Sequence, residues 1–156
     1  MIFPLICFLN KGILYLVRDK GCDLMEILNK IKSDGVIFLF GGILYSLLEI
    51  CFRGHTHWSM TVTGGLCLVV LYRHFKAYPL ESLLTKCFFG MTVITLAEFV
   101  AGCIVNLMLG WNVWDYSSQP MNLLGQVCPT FSAMWFLLTI PAVYLCKAFG
   151  KHLENE

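Results

Sequence analysis

A chain of 156 residues is about one domain's worth of length, and this one is 58% apolar and 13% charged, with a net charge of +1 and a mean hydropathy of +0.72. An ordinary soluble domain carries about 25% charged residues and buries only about two-thirds of the surface its chain exposes, so it could not hide this much apolar surface. These figures exclude disorder, a coiled coil, a collagen-like rod, a soluble globule and a nucleic-acid binder, and leave a polytopic membrane protein.

Residues 1–17 are apolar apart from Asn10, Lys11 and Gly12. The run is short for a span, and a lysine in its middle costs about 2.5–3.5 kcal/mol on insertion scales. It is expected at the interface, with residues 2–17 the open candidate for a fifth span. With no basic leader and no small-residue cleavage site, it does not read as a cleavable signal peptide. Leu24, Ile27, Leu28 and Ile31 follow at i, i+3, i+4 and i+7, supported by a Glu26–Lys30 pair. That spacing predicts an amphipathic helix over residues 23–34 lying on the membrane surface.

Four later runs approach the length of about 20 residues that a bilayer needs. The first covers residues 36–52, between Asp34 and Arg53. The second covers 58–72 with its flanks and is ended by Arg73, His74 and Lys76. The third lies within 83–111, and the fourth within 122–149, where Pro129 and Pro141 are expected to kink it. None alternates polar with apolar, so a membrane β-barrel is not expected. The predicted fold is all-α, a polytopic helix bundle with four transmembrane helices over 36–149. An interfacial segment, 1–35, precedes it and a tail, 150–156, follows.

Lysine and arginine in short loops set orientation. Lys11, Arg18, Lys20, Lys30 and Lys32 precede the first run; Arg73, Lys76 and Lys86 lie between the second and third; Lys147 and Lys151 close the chain. The first loop holds only Arg53 and the third holds no basic residue. Both termini are therefore expected to be cytoplasmic, with the first and third loops outside.

The second and fourth runs begin alike. Met60-Thr61-Val62-Thr63-Gly64-Gly65-Leu66-Cys67 matches Met121-Asn122-Leu123-Leu124-Gly125-Gln126-Val127-Cys128 at Met, the first Gly, an aliphatic residue and Cys. Leu48-Glu49 and Ala97-Glu98 align more weakly, which suggests a tandem two-helix repeat. Eight cysteines contain no C-x-x-C pair and mostly fall in apolar runs, so they read as small core residues rather than metal or redox groups.

The polar residues within or beside the spans are the candidates for substrate or pore contact. Glu49 lies one turn below the outer end of the first run, with Tyr45 and Arg53 on its face; Glu49 and Arg53 can form an ion pair. Glu98 stands in the middle of the third run with no basic residue one turn away. It must be protonated, paired across helices or facing water. Thr95, Gly102 and Asn106 share its face, and Asn122 and Gln126 at the start of the fourth run are its expected neighbours. His55 and His57 form a weak metal candidate lacking a third ligand, so no metal is expected. In the third loop Trp111, Trp114 and Tyr116 mark the interface, Asp115 can accept backbone donors, and Asn122 or Gln119 can cap the fourth helix. No G-x-x-x-x-G-K-[ST], G-x-S-x-G, H-E-x-x-H or EF-hand pattern occurs, and no cofactor is expected.

Ala97-Glu98-Phe99-x-x-Gly102, followed by Trp114-Asp115-Tyr116-Ser117-x-x-Pro120-x-Asn122-x-x-Gly125-x-x-Cys128, resembles the ABC-transporter type IV (CmpB-like) integral membrane proteins of Firmicutes-type bacteria, over roughly residues 40–145. Arg53-Gly54 also resembles that family's first-loop pattern, whereas His55-Thr56-His57-Trp58 replaces the usual apolar, Gly-Pro-containing continuation. The resemblance implies a multi-pass permease in a bacterial cytoplasmic membrane, working with a separate ATPase subunit. It brings no substrate and no catalytic residue.

Three functions compete. The first is a transport-associated subunit, not an enzyme, which must form a homo-oligomer because four spans are too few for a whole permease pathway. The second is an intramembrane enzyme using Glu49, Glu98, His55 and His57 as acid–base groups, which needs an imidazole within reach of a carboxylate. The third is a structural or regulatory membrane protein. The partners expected are the lipid bilayer, an ATPase and further copies of the chain, and no nucleic acid.

Overall fold

The computed structural model of the chain describes residues 3–153, with the side chains of residues 24, 25 and 27–151. Its elements are α1 (Phe3–Arg53), α2 (Trp58–Ala77), α3 (Leu83–Gly102) and α4 (Pro129–Leu153), with a π-helical stretch (Cys103–Met108) continuing α3. Among the described residues there is no strand, only an isolated bridge between Leu123 and Val127. Three helical segments, Ile27–Arg53, Leu83–Met108 and Pro129–Lys151, are long and apolar enough to cross a membrane. The fold is an all-α membrane bundle.

The chain divides into two units, Met1–Gly35 and Val36–Glu156. In the first, Leu24, Met25, Ile27, Leu28 and Ile31 are exposed. The expected surface helix and the first span both fall within the residue range of α1. The side chains of residues 2–17, on which a fifth span would depend, lie outside the described residues.

In the second unit, α2 is the least apolar helix because it is the most enclosed. Ten of its twenty residues are buried, among them Ser59, Thr63, Gly64 and Gly65. A helix facing protein on most sides has no need of a lipid-compatible surface. At 1.5 Å per residue it is about 30 Å long, the thickness of a hydrocarbon core. Its start lies beside Trp111, just beyond the π-helical stretch, where the His57 and Trp58 rings are 5.3 and 5.8 Å from that indole. Its end lies beside the start of α3, where His74 stacks on Phe89 at 3.6 Å. The two helices therefore run antiparallel along their full length.

Small residues allow α1 and α2 to touch backbone to backbone. A Cβ on Gly41 would lie 2.6 Å from Leu68 Cβ, and one on Gly65 would lie 2.7 Å from the Phe38 carbonyl oxygen. Two clusters complete the core. Ile37, Leu68, Leu71, Phe75, Ile94 and Val143 join all four helices at one end. Tyr45, Met60, Val105 and Trp114 join α1, α2, the π-helical stretch and the third loop at the other.

The fourth helix differs from the sequence expectation. It starts at Pro129, not near Asn122. Pro129 occupies the first helical position, where its missing N–H is one the helix start leaves unbonded anyway. Only Pro141 lies inside the helix. Residues 121–128 belong instead to a tightly folded loop, with Met121, Leu124 and Gly125 all at positive φ. Met60–Cys67 is helical, so the two similar octets have different structures and do not mark two copies of one helix start.

Candidate functional site

One turn apart on α1, Tyr45, Glu49 and Arg53 share a face, as their spacing requires. Arg53 Nη1 donates to Glu49 Oε1 at 2.6 Å. The other Glu49 oxygen accepts from Thr56 Oγ1 at 2.6 Å. Arg53 Nη2 donates to the Val113 carbonyl and so ties the end of α1 to the third loop.

Glu98 on α3 is buried, with 3% of its surface exposed. Tyr45 Oη donates to its Oε1 at 2.6 Å, and Trp135 Nε1 on α4 donates to its Oε2 at 2.7 Å. The two donor rings stack on each other with centroids 5.3 Å apart. A carboxylate that would be costly alone in the bilayer is thus paired across helices, by neutral donors from two directions.

Glu49, Arg53 and Glu98 meet at one cavity of about 40 Å³, lined also by Tyr45, Tyr116, Phe131, Met134 and Trp135 and by the apolar Leu48, Phe52 and Leu138. Tyr116 stacks on Phe131 at 4.4 Å. Burial pushes the Tyr116 phenol well above its usual range, and the Glu98 carboxylate adds to that shift, so Tyr116 is a neutral hydroxyl at ordinary pH.

The other four candidates build the third loop instead. Asn106, in the π-helical stretch, donates to Gln126 Oε1 at 2.8 Å and to the Trp114 carbonyl at 3.0 Å, and accepts from the Val113 N–H at 2.7 Å. Gln126 Nε2 donates to the Leu124 carbonyl, and Trp114 Nε1 to the Gln126 carbonyl, both at 2.9 Å. Asp115 accepts from the Ser117 N–H at 2.8 Å, the expected backbone donor, and from the Ser117 hydroxyl at 2.9 Å. Asn122 donates to the Ser117 and Gln119 carbonyls and accepts from the Gly125 N–H. It caps a turn of the loop and not α4.

The expected neighbours of Glu98 are therefore replaced. Asn106 lies eight residues on, roughly 12 Å along the axis at helical rise, and bonds to Gln126 and Trp114. Thr95 does reach α4, donating to Ser132 at 3.1 Å. Trp114, expected at the interface, is buried with the core, while Trp58 and Trp111 are exposed. Tyr116, Phe131 and Trp135 did not stand out as pocket residues in the sequence. Trp135 carried the one usable signal, an indole donor inside an apolar run that needs an acceptor.

The two loop histidines have separate duties. His55 Nδ1 pairs with the Arg53 carbonyl at 3.0 Å. His57 is the N-cap of α2, its ring accepting from the Ser59 N–H at 3.3 Å and bonding the Ser59 hydroxyl at 2.8 Å. Among the described residues no group of three or more His, Cys, Asp or Glu converges as a metal site would require. Cys51, Cys67, Cys87, Cys103, Cys128 and Cys146 are free.

The model of a family described as "Putative ABC-transporter type IV" matches residues 60–155. The matched segment includes Glu98, Tyr116, Phe131 and Trp135; the α1 side of the cavity lies before it. No curated protein and no solved structure matches the chain. With more than half its length matched and three apolar spans in an all-helical bundle, the chain is a transport-associated multi-pass membrane protein and belongs to the ABC-transporter type IV family.

Proposed function

We propose that the chain is the permease-like subunit of an ABC-type transporter, with the cavity around Glu98 as its solute site. One observation carries this reading. A buried carboxylate, clamped by Tyr45 and Trp135, opens onto a cavity between α1 and α4 that also holds Glu49 and Arg53. Buried acids on membrane helices are costly and mark substrate and ion pathways. A cavity of about 40 Å³ is not a passage through the bundle, so a pathway needs further copies of the chain.

Lacking a P-loop, the chain needs a separate ATPase. The turn between α2 and α3 suits coupling, on the reading that it is cytoplasmic. It is braced by His74–Glu81 at 3.0 Å and by Lys86 donating to the Pro79 carbonyl at 2.9 Å, and it presents Leu80, which is 98% exposed. The intramembrane-enzyme reading is disfavoured. His55 and His57 bond to the Arg53 carbonyl and to Ser59, while Glu49 is engaged by Arg53 and Thr56.

The test is purification of the tagged chain from its native membranes. ATP hydrolysis should co-elute with it, and should be lost from a Leu80→Asp variant that keeps its thermal midpoint. Elution of the chain with no ATPase would overturn the proposal.

A further inference from the structure

The cavity around Glu98 is unbalanced in charge. Three charged side chains line it: Glu49, Arg53 and Glu98. Arg53 is engaged by Glu49 at 2.6 Å and by the Val113 carbonyl. Glu98 has neutral donors, Tyr45 and Trp135. With both acids ionised, the lining carries one more negative charge than positive. A carboxylate has about four acceptor positions; two on Glu98 are filled by these donors, which leaves acceptor capacity for a ligand.

Size and surroundings narrow the ligand further. The cavity, about 40 Å³, exceeds the roughly 10–15 Å³ that one water needs, so it has room for a small polar head. An –NH₃⁺ group brings N–H donors for the free acceptor positions of Glu98, which a trimethylammonium lacks. The stacked pairs Tyr45–Trp135 and Tyr116–Phe131 wall it, and aromatic faces attract cations. Leu48 and Phe52 on α1 and Leu138 on α4 add an apolar side to the lining, and Phe52 is 63% exposed. That side lies on two membrane helices, where an alkyl chain would find apolar contact.

We propose that this cavity binds a primary ammonium carried on an alkyl chain, the head at Glu98 and the tail leaving between α1 and α4. The proposal rests on the solute-site reading above and adds the class of solute. The same chemistry occurs in free alkylamines and in aminophospholipid headgroups, and the experiment separates them.

The full chain is placed in phosphatidylcholine nanodiscs and its thermal midpoint is followed against octylamine. A ligand that binds the folded state raises the midpoint saturably. Octylamine should do so, whereas octan-1-ol, with the same tail and no charge, and octyltrimethylammonium, with the charge but no N–H donor, should not. Glu98→Gln should raise the half-saturating concentration by roughly tenfold to a hundredfold, the worth of a charge-assisted hydrogen bond. Leu138→Trp, which fills the apolar side of the cavity and leaves the Glu98 carboxylate in place, should abolish the saturable rise and serves if the first variant fails to fold. Adding phosphatidylethanolamine to the discs should weaken octylamine if the headgroup is the natural ligand, and leave it unchanged if a free amine is. Equal shifts from octanol, or an unaltered response in both variants, would overturn the proposal. An ATPase that co-elutes while octylamine fails to bind defeats this inference alone; octylamine binding without a co-eluting ATPase defeats only the permease reading.

Discussion

Glu98 holds two donors from opposite sides, and its replacements separate charge from hydrogen bonding. In Glu98→Gln the amide oxygen can accept from Trp135 Nε1 while the amide nitrogen donates to Tyr45 Oη, since a phenol can take either role. The fold should lose less than about 1 kcal/mol. Glu98→Leu leaves the indole N–H and the phenol unpaired inside the bundle. At about 1–3 kcal/mol for each of the two unsatisfied groups, the loss should be roughly 2–6 kcal/mol. Thermal or denaturant unfolding in a fixed detergent would measure both, and equal losses would show that Glu98 is not held as described. The cost of this acid was legible in the sequence because no compensating base lies within a turn of it. Its partners were not, because Tyr45 and Trp135 are 53 and 37 residues away and only the packing of three helices brings them to it.

The helices differ in how far local pattern determines them. The apolar run of α2 was visible, as was the Glu49–Arg53 pair, because both follow from helical period. Its close packing on α1 shows in the glycines, where a Cβ on Gly64 would overlap the Tyr45 side chain. Gly64→Ala should therefore destabilise the bundle by about 1–3 kcal/mol, as overpacking does. At Gly35 a Cβ meets nothing within 4 Å, so Gly35→Ala should leave stability unchanged or raise it by up to about 1 kcal/mol. Midpoints moving together would count against this packing. The start of α4 was misread because residues 122–128 are as apolar as a helix. Backbone handedness, which hydropathy does not register, stops them: Leu124 has φ 52°. A left-handed leucine costs roughly 1–2 kcal/mol, and this one is 63% exposed with little packing to lose. Leu124→Gly should stabilise the chain by up to about 1 kcal/mol, and a clear loss of stability would mean the side chain has a contact of its own.

The molecule as a whole raises the question of how many times it crosses the bilayer. Among the described residues three segments qualify by length and apolar composition, and α2 does not. Yet α2 touches Trp111 near one end and Phe89 near the other, so it runs the length of α3, and if α3 crosses, α2 must cross with it. Basic residues then set direction. Arg73, Lys76 and Lys86 cluster around the α2–α3 turn, while residues 109–128 have no lysine or arginine. The positive side is expected to be the cytoplasmic one, and the prediction is a third loop outside and both termini inside. A cysteine at Ser118 should react with a membrane-impermeant maleimide on intact cells beyond the background of the native chain, and one at Lys151 should react only after permeabilisation. If α2 lay along the outer surface instead, α1, α3 and α4 would make three crossings, and both results would invert, with Ser118 protected and Lys151 labelled. A reversed orientation of all four would likewise protect Ser118 and expose Lys151, but it would also expose a cysteine at Leu80. In the three-crossing alternative Leu80 would be exposed as well, because the α2–α3 turn would stay outside. Protection of Leu80 together with labelling of both Ser118 and a cysteine at His55 is thus the pattern that requires α2 to cross and the turn to be cytoplasmic, because α2 lies between His55 and Leu80.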